Sequence, residues 1–510
     1  MADAHTAAVA DRASPRTGPD SKEPVDYDVI VIGAGGAGLA AACAAAEQGA
    51  RVLVLEKLPA LLGTTSYSVG SFAAAGTRMQ SAAGILDRAA DFAQDMALAT
   101  AQTPDTLALR DMLARESGPT LDWLERLGVV FVGPYPEPPN RVPRMHNAVP
   151  AGHRYLAVLA AHARRLGVEL RFGTSVSELM IVQSRITGVR TKRDKNQSTN
   201  PGSGEPTTVT ARAVVLAAGD YSASQAWRSA HLSPNAASAI PINPNSTGDG
   251  HRLALQAGAA LKRLDGVFGP QLRFSAPTRK SWISALPDWR WIYQISALIL
   301  TKAPPAVLSW LAKPLLVAHM SPADHLFTAG AVIVDKLGHP VDTGSGLAAE
   351  LALRPGATGY VIGDESIARR FSKFPDFIST APGIAFAYFQ DYERGRPDLV
   401  HWANDADMLA GSLGLEAQRL RSATRHLSGR LFALGPCNAM LTVTEGGAAI
   451  DPQCRVLDTL GAVIPGLFAA GGNGQSGLML KGHGLHLAWA MTSGRVAGLC
   501  ATRSQTVRPS

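Results

Sequence analysis

The sequence predicts an α/β fold in which a parallel sheet is interrupted by a second, α+β region. Three observations support this prediction. A strand, a glycine turn, a helix and a second strand follow one another between residues 27 and 57. Two further buried-strand patterns, at 213–219 and 466–472, end in small residues. Between them, from about residue 265 to 405, proline and tryptophan become frequent and the pattern is irregular. Distant segments therefore complete one sheet, and a second domain is inserted between them.

Length and composition indicate a globular protein with more than one core. A chain of 510 residues exceeds what one hydrophobic core usually supports. Hydrophobic residues make up 46% and charged residues 17%, a globular composition. The net charge of +7 suits an anionic cofactor or a membrane surface, and it is also ordinary for a basic soluble enzyme. No basic run is interleaved with aromatic residues, so nucleic acid binding is not expected.

The N-terminus and the cysteines bear on location. The first 25 residues are polar and lack the apolar core of a secretory signal, so we expect a disordered tail. No apolar run is long enough to predict a spanning helix. The four cysteines show no CxxC spacing, so neither a zinc site nor a dithiol pair is indicated and no metal is expected. Free cysteines favour a reducing compartment, and the predicted location is cytoplasmic.

The first βαβ unit begins with a β-branched run, residues 27–32, which is typical of a buried strand. The glycine turn 33–38 follows directly. An alanine-rich helix is predicted over 39–48, closed by Gly49, and residues 51–57 form the second buried strand.

The rest of the chain gives coarser signals. Residues 58–80 are rich in Gly, Ser, Thr and Ala, which predicts a long loop. The other predicted elements are helical patterns over about 85–127 with a break at Pro104, an extended linker at 135–139, a helix over about 155–166, a strand at 168–172, a polar hairpin tip at 193–207 and a final helix from about residue 485. The predicted domains are a tail (1–25), a first nucleotide-binding part (26–264), an inserted cap (265–430) and a completing part (431–510).

Gly33, Gly35 and Gly38 form a GxGxxG motif between a strand and a helix, which is the context the motif requires. The first glycine permits the turn, the second lets a pyrophosphate approach the backbone, and the third lets the helix pack on the strand. The phosphates then face free N–H groups at the helix N-terminus. Glu56 ends the second strand, where its carboxylate can accept a ribose hydroxyl and would repel a 2′-phosphate. The motif thus indicates FAD or NAD and disfavours NADP.

Several ordered segments resemble one family. They are Gly63-Thr64-Thr65-Ser66, Ala74-Ala75-Gly76-Thr77, the TLDWLERLGV run at 120–129, Ala217-Ala218-Gly219, the TGDG run at 247–250, residues 402–415 and the run from Arg455 to Gly471. Together they resemble the fumarate reductase and succinate dehydrogenase flavoproteins of the FAD-dependent oxidoreductase 2 superfamily, which includes the 3-ketosteroid dehydrogenases. The agreement recurs along most of residues 27–500.

The resemblance implies a Rossmann-like FAD-binding domain with an inserted α+β cap, and a flavin ring at their interface. It implies hydride exchange between flavin N5 and a carbon next to a carbonyl or carboxylate, which desaturates a C–C bond or reduces a C=C bond. An acid or base handles the second hydrogen. The implied partners are a small-molecule substrate and an electron donor or acceptor that the sequence does not identify.

The residues expected to bind FAD come from the glycine turn and from the segments that match the family. They are Gly33, Gly35, Gly36, Ala37, Gly38, Glu56, Lys57, Gly63, Thr64, Thr65, Ser66, Val176, Ala218, Gly219, Asp249, Gly472, Asn473, Gly484 and Leu485.

Two departures concern the cofactor. Thr64 stands where the covalent flavoproteins of the family carry the linking histidine, so the resemblance implies noncovalent FAD. Gly472 stands where the family motif has a glutamate, and Asn473 is expected to supply the polar contacts to the ribityl chain instead.

Two further departures concern the substrate. Lys481 falls at the arginine that serves the dicarboxylate in fumarate reductases, so the fork that clamps a carboxylate is lost. The arginine-containing cap motif of those enzymes also has no match near residues 335–344. Leu480 falls at the tyrosine of the ketosteroid dehydrogenases, although Gly484 can still offer its N–H to a carbonyl. A lipophilic or cyclic substrate is therefore favoured over a dicarboxylate.

The candidate acids and bases are Lys481, His483, His486 and Tyr67, with His146 as a further candidate. His483 and His486 lie three residues apart, close to one face if the helix has begun. Histidine supplies acid–base chemistry near neutral pH. The alternative is that these side chains hold the flavin or the loop itself.

Four of the eight tryptophans, at positions 282, 289, 291 and 310, surround apolar runs within residues 282–317. With basic residues on either side, this segment is compatible with a membrane-surface hairpin, a lid over a lipophilic substrate, a subunit interface or an ordinary packed cap core. Peripheral membrane contact is therefore one open alternative.

The leading functional hypothesis is a flavin dehydrogenase or ene reductase acting on CH–CH groups of a ketone or enone. Two alternatives are a noncatalytic electron-transfer flavoprotein and an oxygen-using flavin oxidase.

Overall fold

The computed structural model describes residues 25–100, 104–193, 206–275, 290–302, 313, 316–317, 320–342, 346–381 and 385–503. The expected N-terminal tail, almost all of the polar hairpin tip and most of the tryptophan-rich segment lie outside these residues.

A mixed eight-stranded sheet forms the first layer, and its central strands are parallel. Val29 lies opposite Val52 on one side and Ala213 on the other, and Leu467 lies opposite Val214. The β-branched strands are buried because the helices Gly36–Ala46 and Leu485–Arg503 pack on the sheet, and the hairpin Thr174–Val182 and Arg185–Arg193 also contacts its strands. Its strands, in spatial order, are Arg455–Leu457, Val463–Ala469, Thr207–Leu216, Tyr27–Ile32, Val52–Leu55 and Glu169–Arg171, with the hairpin Thr174–Val182 and Arg185–Arg193 joined to Thr207–Leu216. The predicted α/β class and the joining of distant segments in one sheet are confirmed.

The first helix, Gly36–Ala46, begins three residues before the expected start at Leu39, because the glycine turn itself supplies the first helical turn. All eleven of its residues are buried. It packs against the sheet and against the last helix, Leu485–Arg503. A Cβ atom on Gly494 would lie 2.2 Å from the Ala37 oxygen, and one on Gly498 would lie 2.2 Å from the Ala41 oxygen. These two glycines therefore let the helix backbones approach each other closely.

A seven-stranded sheet forms a second body with its own hydrophobic core. Its strands are Ile240–Pro241, Gln271–Phe274, Val332–Asp335, Pro340–Val341, Thr358–Asp364, Val400–Ala403 and Leu431–Leu441. The long strand Leu431–Leu441 is central and pairs with four of the others. The predicted completing part starts at residue 431, but this strand belongs to the second sheet, because its alternate side chains fill that core. The division into domains otherwise stays a prediction.

Smaller sheets join the two bodies and cover the first. Two short antiparallel ribbons lie where the chain crosses between the large sheets. One pairs Leu261–Lys262 with Gly447–Ala448, and the other pairs Val267–Phe268 with Val443–Thr444. The strands Ser71–Ala73, Met145–Val149 and Val130–Tyr135 form a three-stranded sheet, and Ser379–Ala381 pairs with Ala385–Ala387.

The prediction of a long loop over residues 58–80 is wrong. This segment contains a 3-10 turn, Thr64–Tyr67, the strand Ser71–Ala73 and the helix Arg78–Ala82. A capping box between Thr77 and Gln80 starts that helix. The small polar residues serve as caps and close contacts here, which composition alone does not distinguish from a loop.

The remaining helices surround the sheets. They are Ala89–Ala99, Pro104–Leu127, His153–Arg165, Gln225–His231, Pro234–Ser238, Asp249–Gln256, Arg290–Lys302, His325–Thr328, Leu347–Ala352, Glu365–Arg370, Phe389–Gly395, Ala406–Leu413 and Ala417–Ala423, with 3-10 turns at Pro355–Ala357 and Gly471–Gly474. Within the described part of the chain, no helix has the length and apolar character needed to cross a bilayer.

The contact between the first and last helices can be tested with Gly498→Ala. The added methyl would meet the Ala41 carbonyl, so we expect the free energy of unfolding to fall by about 1–3 kcal/mol. Gly411→Ala is the matched control, because Gly411 lies in the helix Ala406–Leu413 with open space around it. That change should be neutral or stabilise by about 0.5–1 kcal/mol. Denaturant unfolding measures both variants, and equal stability of the two would contradict the packing argument.

Candidate functional site

The glycine turn leaves a bare helix N-terminus. Gly33 has φ +104°, and its Cβ atom would lie 2.5 Å from the Ala217 oxygen. A Cβ atom on Gly38 would lie 1.9 Å from the Gly33 oxygen. Gly35 differs, because no atom lies within 4 Å of its Cβ position. No side chain caps the helix at Gly35, so its first N–H groups are available to an anion.

The turn Gly63–Ser66 lies over this N-terminus. A Cβ atom on Gly63 would lie 2.9 Å from the Gly35 Cα atom. The Thr65 hydroxyl oxygen lies 2.7 Å from the Cβ position of Gly36. Ser66 donates its hydroxyl to the Gly63 oxygen at 2.8 Å, which closes the turn on itself. The Thr64 hydroxyl accepts from the Asn243 amide at 2.9 Å.

Glu56 and Lys57 fix the end of the second strand. The Glu56 carboxylate accepts the Ala34 N–H at 2.8 Å and the Leu58 N–H at 2.9 Å, so it also braces the glycine turn. Lys57 Nζ donates to Thr247 Oγ1 at 2.6 Å and to Asp249 Oδ2 at 2.7 Å. Burial raises the pKa of Asp249, but the hydrogen bond and charge of Lys57 outweigh it and lower that pKa.

Asn473 connects two strand ends through a buried network. Its Oδ1 accepts the Ala218 N–H at 2.6 Å, and its Nδ2 donates to His251 Nδ1 at 3.2 Å. His251 Nε2 then donates to the Gly446 oxygen at 2.9 Å, which defines one neutral tautomer. Burial lowers the pKa of His251 to about 4, so the ring stays neutral. The amide expected at the ribityl chain therefore already holds the site together, and its contact with the flavin stays a prediction.

The other expected cofactor residues surround the same place. Gly219 has φ +84° at the end of its strand. A Cβ atom on Gly472 would lie 3.1 Å from the Asp220 nitrogen and from the Gly219 carbonyl carbon, so a larger side chain would fit tightly there. Val176 is buried in the hairpin next to the first sheet.

The last helix starts at Leu485, within the polar cluster expected at 481–486, so His486 lies in its first turn. The Gly484 oxygen accepts the Ala73 N–H at 3.2 Å, and a Cβ atom on Gly484 would clash with strand Ser71–Ala73. Leu485 is buried as the first helical residue. Lys481 and His483 are exposed, and His486 is half-buried. The polar cluster therefore separates into distinct environments.

Glu445 is a site residue that sequence reasoning missed. Its carboxylate, 2% exposed, accepts the Leu480 N–H at 3.0 Å and lies 3.1 Å from His486 Nε2. Burial raises the pKa of Glu445, but the hydrogen bond and charge of His486 with the Leu480 N–H lower it overall. The Phe268 ring lies 5.2 Å from the His486 ring. The sequence feature that could have pointed to Glu445 is an acidic residue directly before the glycine pair Gly446-Gly447.

His483 contacts a second missed acid. Its Nδ1 lies 2.5 Å from Glu137 Oε1, and Glu137 belongs to the stretch predicted only as a linker. The hydrogen bond to Glu137 raises the pKa of His483, against the effects of burial and of the Arg273 charge. Arg273 lies on the strand Gln271–Phe274 of the second sheet. His483 is thus placed where the two large bodies meet.

The two remaining candidates are less suited to acid–base chemistry. Tyr67 is 48% exposed at the end of its 3-10 turn. His146 is fully buried with Nε2 3.1 Å from the Thr77 hydroxyl, and burial lowers its pKa to about 4. Neighbouring Arg144 is held by Asp87 and Asp95 in a buried ion cluster, so this strand serves structure.

The site fits FAD by its own geometry. An uncapped helix N-terminus faces open space at Gly35, and close backbone packing explains the glycines on either side of it. Among the described residues, no group of three or more His, Cys, Asp or Glu side chains could hold a metal ion.

Comparisons with known proteins agree with this geometry. The family model for an FAD binding domain matches residues 28–274. Fumarate reductase (cytochrome) from Shewanella frigidimarina is 25% identical over 489 residues, which cover 92% of this chain and 76% of that protein. These matches support the FAD-dependent oxidoreductase 2 superfamily as the one that this chain resembles. NADH:fumarate oxidoreductase from Klebsiella pneumoniae (strain 342) is 31% identical over 215 residues, but these cover only 41% of this chain and 22% of that protein.

Two solved structures share the fold. The open conformation of a flavocytochrome c3 fumarate reductase has a TM-score of 0.71 and 22% identity, covering 94% of this chain and 79% of the other. The 3-ketosteroid Δ1-dehydrogenase from Sterolibacterium denitrificans has a TM-score of 0.65 and 18% identity, covering 94% and 99%. The chain is therefore an FAD-dependent oxidoreductase, and the relatives in its superfamily are reductases and dehydrogenases that act on carbon–carbon bonds.

The open position at Gly35 gives a direct test of cofactor binding. Gly35→Ala adds a methyl that meets no protein atom but projects where the pyrophosphate should lie, so we expect FAD to bind roughly tenfold more weakly or worse. Titration of the apoprotein with FAD measures this loss. The apoprotein's unfolding midpoint should stay close to that of the wild type and of Gly411→Ala, and undiminished FAD affinity would contradict the assignment.

Proposed function

We propose that this protein transfers hydride between flavin N5 and a carbon next to a carbonyl, desaturating a ketone or reducing an enone. The observation that carries the proposal is the His483–Glu137 pair, at 2.5 Å, beside Arg273 where the two large sheets meet. Bound FAD supplies the two-electron chemistry, and this chain's side chains manage the proton and the developing charge.

His483 is the proposed acid or base. Its hydrogen bond to Glu137 raises its pKa, which favours the protonated ring. A protonated imidazole can donate to the substrate carbon in reduction, and the neutral ring can remove the corresponding proton in desaturation. The His483 side chain is 65% exposed, so a substrate can reach it.

Arg273 is the proposed partner of the substrate oxygen. Its charge lowers the pKa of His483, which supports placing the guanidinium on the same side of the site as that ring. Charge that develops on the carbonyl oxygen during the reaction would be stabilised by this cation.

His486 is better explained as a positioning residue. It pairs with Glu445, which also holds the Leu480 N–H, and its ring packs near Phe268. This arrangement fixes the loop before the last helix. Lys481 and Tyr67 stay weaker candidates, because among the contacts of the described residues neither pairs with a carboxylate as His483 pairs with Glu137.

The proposed substrate is lipophilic or cyclic, taken from solution, with a separate electron donor or acceptor. Leu480 and Lys481 replace the tyrosine and arginine expected in ketosteroid dehydrogenases and fumarate reductases, and Leu480 is buried. The flavin is proposed to be noncovalent because Thr64 is hydrogen-bonded to Asn243 and has no nucleophilic ring nitrogen. Acid precipitation should then leave all flavin in the supernatant.

Anaerobic flavin spectroscopy tests the reaction class. Saturated cyclic ketones should bleach the oxidised holoenzyme, or the matching enones should reoxidise the dithionite-reduced enzyme, faster than fumarate does. His483→Gln should slow the step by roughly 100-fold or more while flavin content is unchanged. His426→Gln, at a surface histidine bonded to the Gly330 oxygen, is the matched control and should react normally. No reaction with ketones, enones or acids, or rapid peroxide formation in air, would refute the proposal.

The pH dependence tests the role of His483 separately. In the reductive direction the rate should fall as pH rises through the raised pKa of His483, because the acid loses its proton. Glu137→Gln removes the cause of the raised pKa, so the falling limb should move to lower pH. Arg273→Gln removes a charge that lowers this pKa, so the limb should move to higher pH. Profiles of kcat/KM for the three enzymes measure this, and shifts in the same direction would exclude His483 as the titrating group.

A further inference from the structure

The helix Arg290–Lys302 lies outside both large sheets, on the three-stranded sheet. Its inner face is anchored there by Tyr293, which is 7% exposed and packs with Val132 and Val149. The Arg154 guanidinium lies 4.8 Å over the Tyr293 ring. The helix is therefore held against the protein along one side.

The opposite side of this helix is apolar and faces solvent. Trp291, Ile295, Leu298 and Ile299 are 55%, 49%, 59% and 40% exposed. Their spacing of four, three and one residues places them along one face. Between Arg290 and Lys302 the sequence has no charged residue. Single exposed apolar residues are ordinary, but a continuous stripe of four large ones marks a binding surface.

The sequence beside this helix is basic. From residue 276 to 302 it contains Arg279, Lys280, Arg290 and Lys302 against Asp288 alone, which gives a net charge of +3. Lys313 is not counted, because it pairs with Asp391 at 2.9 Å. An apolar helix face with tryptophan and nearby cations is the combination that binds an anionic membrane surface.

We propose that the face formed by Trp291, Ile295, Leu298 and Ile299, the "outer face", docks on an anionic lipid bilayer. The helix lies in the headgroup region, its apolar side chains enter the lipid, and the net positive charge of the sequence 276–302 attracts the headgroups. The anchoring of the inner face by Tyr293 keeps the helix parallel to the protein surface.

The positive charge of the sequence 276–302 argues against a second copy of the chain as the partner of the outer face. A two-fold dimer would place this patch against itself and bring the two sets of positive charge together. An anionic bilayer instead meets positive charge with negative charge, and the attraction weakens as salt screens it.

Vesicle co-sedimentation of the holoenzyme tests the proposal. The wild type should pellet with vesicles of phosphatidylcholine and phosphatidylglycerol at low salt, and less with phosphatidylcholine alone. Ile295→Glu with Leu298→Glu should reduce the bound fraction at least tenfold. The matched control is Leu86→Glu with Leu460→Glu, which adds the same charge at residues 95% and 91% exposed and should bind like the wild type.

The outcomes separate the alternatives. All three proteins should keep their flavin content and unfolding midpoint, which shows that loss of binding is not loss of folding. Failure of the wild type to bind anionic vesicles, or equal loss in both double variants, would overturn the proposal. A wild-type dimer in light scattering that becomes a monomer in the Ile295→Glu, Leu298→Glu variant would also overturn it, in favour of self-association.

Discussion

The close approach of backbones around the first helix is the constraint on which the rest of this structure depends. A dinucleotide pyrophosphate can be held by backbone N–H groups only if no side chain stands before them. Gly33 and Gly38 therefore fold the turn against the strand Thr207–Leu216 and against itself. Gly494 and Gly498 then bring the last helix against the same helix. As a result, the first helix is buried along its whole length, but the N–H groups at its N-terminus are not capped by a side chain.

This packing also sets where the substrate half of the site can form. Because the last helix is fixed against the first, its beginning at Leu485 is fixed relative to the glycine turn. The residues just before it then meet side chains from other segments, Glu445 and Glu137. The cofactor half thus consists mainly of backbone and small residues. The proposed substrate half consists of charged side chains whose neighbours lie far away in the sequence.

The three-stranded sheet links the site to the outer face. Its strand Ser71–Ala73 receives Gly484 at the start of the last helix, and its other strands carry Val132 and Val149, which hold Tyr293. If this protein docks through the helix Arg290–Lys302, the loop that carries His483 would therefore lie at a fixed distance from the membrane surface.

The sequence by itself determined the cofactor half. The order strand, GxGxxG, helix, strand is local, so Gly33, Gly35, Gly38 and Glu56 could be recognised without long-range information. The buried strands at 213–219 and 466–472 could each be recognised from a local apolar run that ends in small residues, and this shared pattern predicted that they join one sheet. Only the tertiary structure decided the substrate half. The partners of His483 and His486 lie 346 and 41 residues away, and no local pattern predicts such contacts. Local sequence patterns also could not predict that Leu431–Leu441 belongs to the second sheet, or that short helices and a strand form within 58–80. Both features depend on which segments pair and in which register, and composition does not give that information.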